Sequence, residues 1–233
     1  MQKAEFDKFA AAYLDTCARN IRASGETPDF FARYKVADVR AELDRAASGL
    51  ERLNILDFGS GVGASLPSFR ALFPNAKMVC ADVSRQSLDI ARSRFPGAAE
   101  YVELHSNRLP FDDESFDVVF TACVFHHIDH AEHPVLVSEL RRVLKRNGLC
   151  FIFEHNPWNP LTVRAVNTCP YDENARLVGG PRMRQLVRAA GFVSARLVYR
   201  IFFPHFLALL RPLERLITKL PLGAQYYVVG KKA

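Results

Sequence analysis

The sequence has no apolar run long enough to span a bilayer. Its longest apolar stretch near the C-terminus, residues 201–210, is broken by Pro204 and His205, whereas a spanning helix needs about 20 consecutive apolar residues. It also has no C-x-x-C pair. Its five cysteines, at 17, 80, 123, 150 and 169, are odd in number, which excludes a disulfide scaffold and a zinc ribbon. Cys80, Cys123 and Cys150 lie inside apolar runs, where a thiol behaves as a small hydrophobe. A reducing, cytoplasmic setting is therefore expected. Met1 to Glu5 contain no apolar h-region, so no secretory leader is expected. No repeat, low-complexity tract or linker interrupts the chain. With 49% hydrophobic and 24% charged residues in 233, the composition excludes a disordered or collagen-like chain and fits one α/β domain with a full core.

Acid is scarce at one end only. Residues 141–233 hold 4 Asp+Glu against 16 Lys+Arg, while residues 1–140 hold 21 against 15. The net charge of +6 thus divides into −6 and +12. A basic segment of that size asks for an anionic substrate, a nucleic acid or a membrane surface.

Residues 4–50 read as helices. Phe6, Phe9, Ala10, Tyr13, Leu14 and Cys17 recur at helical spacing, Gly25 to Pro28 breaks the pattern, and a second amphipathic run extends from Phe30 to about Leu50. From Leu53 the rhythm changes. Strand-length apolar runs at 53–58, 77–82, 100–104, 116–121 and 149–154 alternate with helical patterns near 64–73, 84–94 and 134–146. Such alternation predicts a parallel sheet with helices on both faces, and the near-continuous Val, Ile, Leu, Phe and Cys of the strands fits double coverage. The run Asn156-Pro157-Trp158-Asn159-Pro160 makes 155–180 irregular. A helix is expected over 181–190 and strands over 192–203 and 225–230. Between those strands, 204–224 mixes large aliphatics with Arg211, Arg215 and Lys219, whose spacing of four sets them on one face of a helix.

The most informative segment is Ile55-Leu56-Asp57-Phe58-Gly59-Ser60-Gly61-Val62-Gly63-Ala64. A buried strand runs into three alternate glycines and then a helix. Glycines permit a tight turn and a close approach of ligand to backbone, and a helix start carries partial positive charge. A nucleotide cofactor is the natural guest. Gly59-x-Gly61-x-x-Ala64 also fits the dinucleotide fingerprint. Asp82, closing the second strand, can accept both ribose hydroxyls in either kind of cofactor.

Further motifs narrow the choice. Leu109-Pro110-Phe111 leads to Ser115-Phe116-Asp117. His126-His127-Ile128 follows, and then Leu140-Arg141-Arg142-Val143-Leu144-Lys145-Arg146-Asn147-Gly148. With Asp57, the glycines and Asp82, this order resembles the class I S-adenosylmethionine-dependent methyltransferases. The branch is the one close to ubiquinone/menaquinone-type C-methyltransferases (methyltransferase type 11), and the resemblance runs over about residues 50–155. It implies an α/β, Rossmann-like, doubly wound sheet of seven strands, mostly parallel with an antiparallel last strand. It implies one domain over 1–233: a helical lid (1–50), a cofactor core (51–155) and an acceptor-facing half (156–233) with a helical insertion at 204–224. The cofactor would be S-adenosylmethionine and the product S-adenosylhomocysteine. Asp57, Gly59, Ser60, Gly61 and Gly63 would take its methionine end, and Asp82 with Val83 its ribose. Thr121, Ala122 and Cys123 would end the fourth strand beside the methionine moiety. The family's usual acid before L-P-F, which contacts adenine, is replaced by His105. Ser106 and Asn107 stand beside it, and these three are the expected adenine neighbours.

Methyl transfer to a nucleophile needs alignment and exclusion of water, and a base only where the acceptor loses a proton. His127, after the fourth strand, and Glu154 and His155, at the end of the fifth, sit where an acid–base group is useful. Cys123 is read as a packing residue. His126, His127, His130 and His133 are close in sequence, yet no nearby Cys or carboxylate completes a ligand set, so no metal is expected. The acceptor is expected to be a small or lipid-like molecule, O- or C-methylated. Segment 204–224 is either a solvated amphipathic helix or an apolar lid with a basic rim, suited to an anionic acceptor at a membrane surface. Nucleic acid is not expected, because the basic residues are interleaved with aliphatics rather than stacking aromatics. The alternatives are a non-catalytic S-adenosylmethionine-binding module and a nucleotide-dependent oxidoreductase.

Overall fold

A computed structural model describes residues 24–46 and 52–233; the first predicted helix, with Tyr13 and Cys17, lies outside them. Helix α1 spans Pro28–Arg45. Thr27 caps it by accepting from the Phe30 amide, Pro28 occupies a first-turn position that needs no donor, and Asp29 faces the positive end of the helix. Its buried stripe of Val36, Val39 and Leu43 packs on the sheet. The helix is therefore part of the core along most of its length, and only its first two turns reach the cleft described below.

The strands are β1 (Asn54–Phe58), β2 (Lys77–Asp82), β3 (Glu100–Glu103), β4 (Phe116–Ala122), β5 (Leu144–His155), β6 (Ser194–Arg200) and β7 (Gln225–Lys231). They form one sheet in the order β3-β2-β1-β4-β5-β7-β6. All are parallel except β7, which runs antiparallel to both β5 and β6. Among the described residues, the other α-helices of eight residues or more are α3 (Arg85–Arg94), α4 (His133–Val143), α5 (Pro160–Asn167) and α6 (Gly180–Ala189). Helix α2 (Leu66–Leu72) and helix α7 (Glu214–Ile217) are shorter. Alternate residues of the strands feed two apolar layers. Ile55, Phe120, Phe151 and Phe153 meet α1 and Phe69 of α2. Leu56, Val119, Cys150 and Ile152 meet Leu136 and Leu140 of α4 and Met183 of α6. This is the doubly covered sheet that the apolar runs predict. No helix among the described residues is long and apolar enough to cross a membrane.

The structure departs from expectation at four places, each with a physical reason. Helix α5 lies in the segment read as irregular. Asn159 caps it by accepting from the Thr162 amide, and Pro160 stands at the first turn, where proline is tolerated. Strand β5 begins at Leu144, and its register against β4 shifts between Phe116 and Val118. The left-handed Asn147 (φ 61°) turns the chain within that stretch. Strand β6 stops at Arg200 because Ile201 is left-handed (φ 61°), and the next two amides donate to Glu214 instead of to a strand. Segment 204–224 is not one amphipathic helix. A 3-10 helix over His205–Leu213 leads into the short α7. Pro212 removes a backbone donor, and the 3-10 winding takes Arg211, Arg215 and Lys219 off a common face.

The antiparallel end of the sheet is tied to α1 by buried charge. Glu42 accepts from the Tyr227 hydroxyl at 2.9 Å and pairs with Arg45 at 2.6 Å and with Arg196. Asp38 pairs with Arg200 at 2.6 Å. At the sheet centre, Phe120 packs edge-on against Phe69 with ring centres 5.1 Å apart and is fully buried. Phe120→Ala should lower unfolding stability by about 3–5 kcal/mol, through lost transfer energy and an unfilled cavity. Urea unfolding checks this, and a loss under about 1 kcal/mol would show that the layer repacks.

Candidate functional site

A cleft of about 620 Å³ opens at the carboxyl ends of β1, β2, β4 and β5. This is the edge where strand order reverses between β1 and β4, the usual place for a ligand in an open parallel sheet. The turn after β1 is built for close approach. Gly59, Gly61 and Gly63 all have positive φ, at 73°, 52° and 74°. A side chain on Gly59 would strike Val124 at 2.3 Å. The face of Gly61 is open, with nothing within 4 Å of a built Cβ, so its backbone conformation is what requires glycine. The loop amides are already engaged. Those of Gly59 and Ser60 donate to the Ala81 carbonyl, and that of Gly61 donates to Asp82 Oδ2 at 2.8 Å. The loop thus offers a ligand close backbone approach more than free donors.

Two carboxylates flank this loop. Asp82 Oδ1 accepts from the Ser84 amide at 2.9 Å, which orients the group at the end of β2. Asp57 is 2% exposed, and its Oδ2 has no hydrogen-bond partner among the described residues, as is true of Ser60 Oγ and Thr121 Oγ1. Burial, and then the nearby Asp82 charge, push the Asp57 carboxyl up to about 7, against the opposing pull of Lys35. An unpartnered buried carboxylate oxygen is costly and suits a cationic ligand group. These features fit the cofactor class that the sequence resemblance implies. An amino-acid ammonium suits Asp57, hydroxyls suit Asp82, and a flat base suits the apolar wall of Val83, Leu104 and Ile128.

Below the far end of the cleft lies a buried charge network. Glu154 is fully buried and accepts from the amides of Val124 and Phe125 at 3.0 and 2.7 Å. It also pairs with His126 Nδ1 at 2.6 Å. Burial alone would raise Glu154, but the His126 charge and hydrogen bond hold it well below the carboxylate range. Burial alone would lower His126, but Glu154 and Asp172 hold it protonated. Burial, and then the His126 charge, lower His127 to about 4, so His127 is neutral. His126 Nε2 and His127 Nε2 lie 3.5 and 3.4 Å from the same Asp172 oxygen.

A second cluster faces the cleft from α1, β4, β5 and β7. Lys35 Nζ lies 3.7 Å from Cys123 Sγ. Gln225 accepts from the Tyr34 hydroxyl and donates to His155 Nδ1 at 3.3 Å. Cys123 is left-handed (φ 60°), which turns the chain sharply after β4. Burial would raise its thiol, but His155 and Lys35 bring it down to about 7.

Asp57, Gly59, Ser60, Gly61, Asp82, Val83, Ala122, Cys123, His127 and His155 all line the cleft. Gly63 packs near Ala91 of α3 instead, and Thr121 is buried away from the lining. Three expectations need correction. Glu154 lies beneath the cleft with its oxygens committed to the turn after β4, so it is not a base facing an acceptor. The His105 side chain is 72% exposed and turns towards Glu103. Ser106 donates to the Arg108 carbonyl and Asn107 to Glu132. That leaves Leu104 as the lining residue at the end of β3. Reading from sequence misses the grouping of Gln225 and Asp172 with these residues, because each comes from a distant segment. It places Tyr34 and Lys35 on a lid, whereas they stand on the core helix α1.

The methyltransferase domain family matches residues 56–152. The biotin biosynthesis bifunctional protein BioHC of Cellvibrio japonicus is 30% identical over 176 residues, covering 75% of this chain and 34% of that protein. The ubiquinone/menaquinone biosynthesis C-methyltransferase UbiE of Ectopseudomonas mendocina is 30% identical over 121 residues, covering 49% and 46%. The chain thus spans less than half the length of these curated relatives. Among solved structures, a methyltransferase dependent on S-adenosylmethionine from Thermotoga maritima has the same fold. The TM-score is 0.67 at 18% identity, with 100% of both chains covered.

The buried carboxyl of Asp57 generates a prediction with a definite sign. Its folded value lies above its unfolded value near 3.8, so the folded free protein favours the protonated form. Its contribution to stability is lost as the pH rises from the unfolded value through about 7. A bound ammonium group favours the ionised form. Affinity for S-adenosylhomocysteine should therefore rise with pH through about 7. In Asp57→Asn it should be about 10–100-fold weaker, with that pH dependence removed. Calorimetry across this range checks both, and an unchanged profile in the variant would assign the dependence to another group.

Proposed function

Because residues 56–152 make this chain a member of the class I S-adenosylmethionine-dependent methyltransferases, in the type 11 branch, we propose that it methylates a small, largely apolar acceptor bearing an anionic group. The observation that carries this reading is the division of one cleft into two ends. The end at β1 and β2 presents Asp57, Asp82 and the glycine turn. The other is walled by Phe31, Leu161, Val166, Phe202 and Phe206, with Arg164 at its edge. Relatives named for quinone and biotin biosynthesis suit an acceptor of this size and polarity.

When bound, S-adenosylmethionine supplies a methyl group on a cationic sulfur that an in-line nucleophile can displace. The chain's own residues do the rest. Asp57 takes the ammonium, and Asp82 accepts from the ribose hydroxyls. Val83, Leu104 and Ile128 cover the adenine, which makes up for the outward-turned His105 and Ser106. The apolar walls hold the acceptor against the methyl and exclude water. An oxygen or carbon acid gives up its proton to the Cys123–His155 pair, whose thiol, at about 7, is matched to neutral pH. Lys35 beside it stabilises the charge that remains.

Phe206, which lines the cleft, and Leu209 and Leu216 of the same segment are exposed at 80%, 96% and 82%, and Arg215 and Lys219 between and after them are exposed as well. They favour a lipid-like acceptor taken from a membrane surface. Arg211 is engaged differently, since it pairs with Glu26 at 2.5 Å and covers the Phe30 ring.

The test is transfer of labelled methyl from S-adenosylmethionine into a cell lysate and its membrane fraction, with the product identified by mass spectrometry. Label should enter a lipid-soluble anionic product. High salt should reduce turnover without weakening cofactor binding. Asp82→Ala should weaken S-adenosylhomocysteine binding by about tenfold or more. Cofactor binding without any labelled product would favour a non-catalytic binding module, and binding of a nicotinamide dinucleotide in its place would favour an oxidoreductase.

A further inference from the structure

Segments that are 45 residues apart meet at the acceptor end of the cleft. The turn after β4 brings His126 and His127, and a 3-10 turn over Pro170–Asp172 brings Asp172. Each of these three residues offers one ligand atom, and the three atoms lie within 4.8 Å of one another. The two imidazole nitrogens stand 3.5 and 3.4 Å from the carboxylate oxygen. Those separations exceed the roughly 2.7–3.2 Å of good N–H···O hydrogen bonds. They match the edge of a tetrahedron around a metal, where bonds of about 2.0–2.2 Å set neighbouring ligand atoms about 3.4 Å apart.

The surroundings of the three side chains carry the argument further. His126 is 1% exposed, and its other ring nitrogen, Nδ1, meets Glu154 Oε2 at 2.6 Å. In the free protein Nε2 carries a proton that faces Asp172; a bound metal would replace that proton, and a carboxylate behind a histidine fixes the ring and raises the basicity of its second nitrogen. Glu154 is itself held by two backbone amides, so the orienting group is rigid. His127 and Asp172 line the cleft while His126 does not. Two imidazoles and one carboxylate leave a coordination position open, as in catalytic rather than structural zinc sites. The local histidine run hides this arrangement, because the carboxylate comes from beyond β5 and α5.

We propose that His126, His127 and Asp172 form a site for one divalent first-row transition metal of the zinc class, with Glu154 orienting His126 from behind and an open position facing the cleft. That position takes an anionic oxygen of the acceptor, carboxylate or enolate. This last point rests on the reading of the cleft given above, whereas the metal site itself does not. His127 becomes a ligand, and Glu154 becomes a positioning residue.

The experiment reads metal binding with neither cofactor nor acceptor present. Chelator-treated protein is titrated with Zn²⁺ by calorimetry and with Co²⁺ by visible absorption. One equivalent should bind, and Co²⁺ should give the intense bands of a low-symmetry four- or five-coordinate site. Asp172→Ala and His127→Ala should each weaken Zn²⁺ by about 100-fold or more, since even the loss of an orienting partner costs about 10–100-fold. Both variants should keep wild-type affinity for S-adenosylhomocysteine, which shows that they fold. Failure to bind one equivalent, octahedral Co²⁺ spectra, or binding that survives both substitutions would overturn the proposal. Failure of methyl transfer alone would count against the function proposed for the cleft and leave the metal site standing.

Discussion

One buried carboxylate organises the working edge of this molecule. Glu154 closes the long central strand β5 and gathers two amides and an imidazole from the turn that follows β4. It therefore sets where Cys123, Val124 and His127 stand relative to the cleft. An ionised group so deeply buried is tolerable only with several hydrogen bonds and an opposite charge, and His126 supplies the charge. The same contact carries the network outward to Asp172. That wall of the cleft thus hangs on a single buried side chain that does not itself line it.

The charge imbalance along the chain acquires a location in this light. Its acid-rich part includes Asp57 and Asp82, which border the place where a sulfonium and an ammonium would lie. Its basic part includes Arg164, which lines the same cleft. The boundary near residue 140 falls inside α4, which packs on the sheet, so the two charges belong to one folded unit. The opposition is between the two ends of a binding site, and it would orient a ligand pair with opposite polarities.

The sheet and its parallel direction were readable from alternating apolar runs, whereas the reversed last strand came only with what the family resemblance implies. The glycine turn and Asp82 were readable too, because their chemistry depends on neighbours in sequence. Other features depend on neighbours in space. Asp172 is an ordinary loop acid until α5 and the following turn fold it against His126. Gln225 looks like the first residue of a strand until Tyr34 and His155 are placed on either side of it. Helix α5 was hidden because its prolines read as breakers, although Pro160 stands at the one helical turn that accepts it. Arg211, Arg215 and Lys219 have helical spacing, but Pro212 and the 3-10 winding override it.

The reversal of β7 has a consequence for how such a chain can diversify. In the parallel strands it is the last residue that arrives at the cleft. In β7 it is the first, Gln225, so the connection entering β7 is delivered directly over the cleft mouth while its hydrogen-bonded length stays locked between β5 and β6. Residues 201–224 are that connection. They meet β6 through a bond from the Tyr199 amide to the Thr218 carbonyl and hold Asn156 through the Pro221 and Gly223 carbonyls, so the stretch before Thr218 can change with no strand losing its ladder while the cofactor end stays constant. A single inverted strand thereby separates the part of the molecule free to vary from the part that cannot.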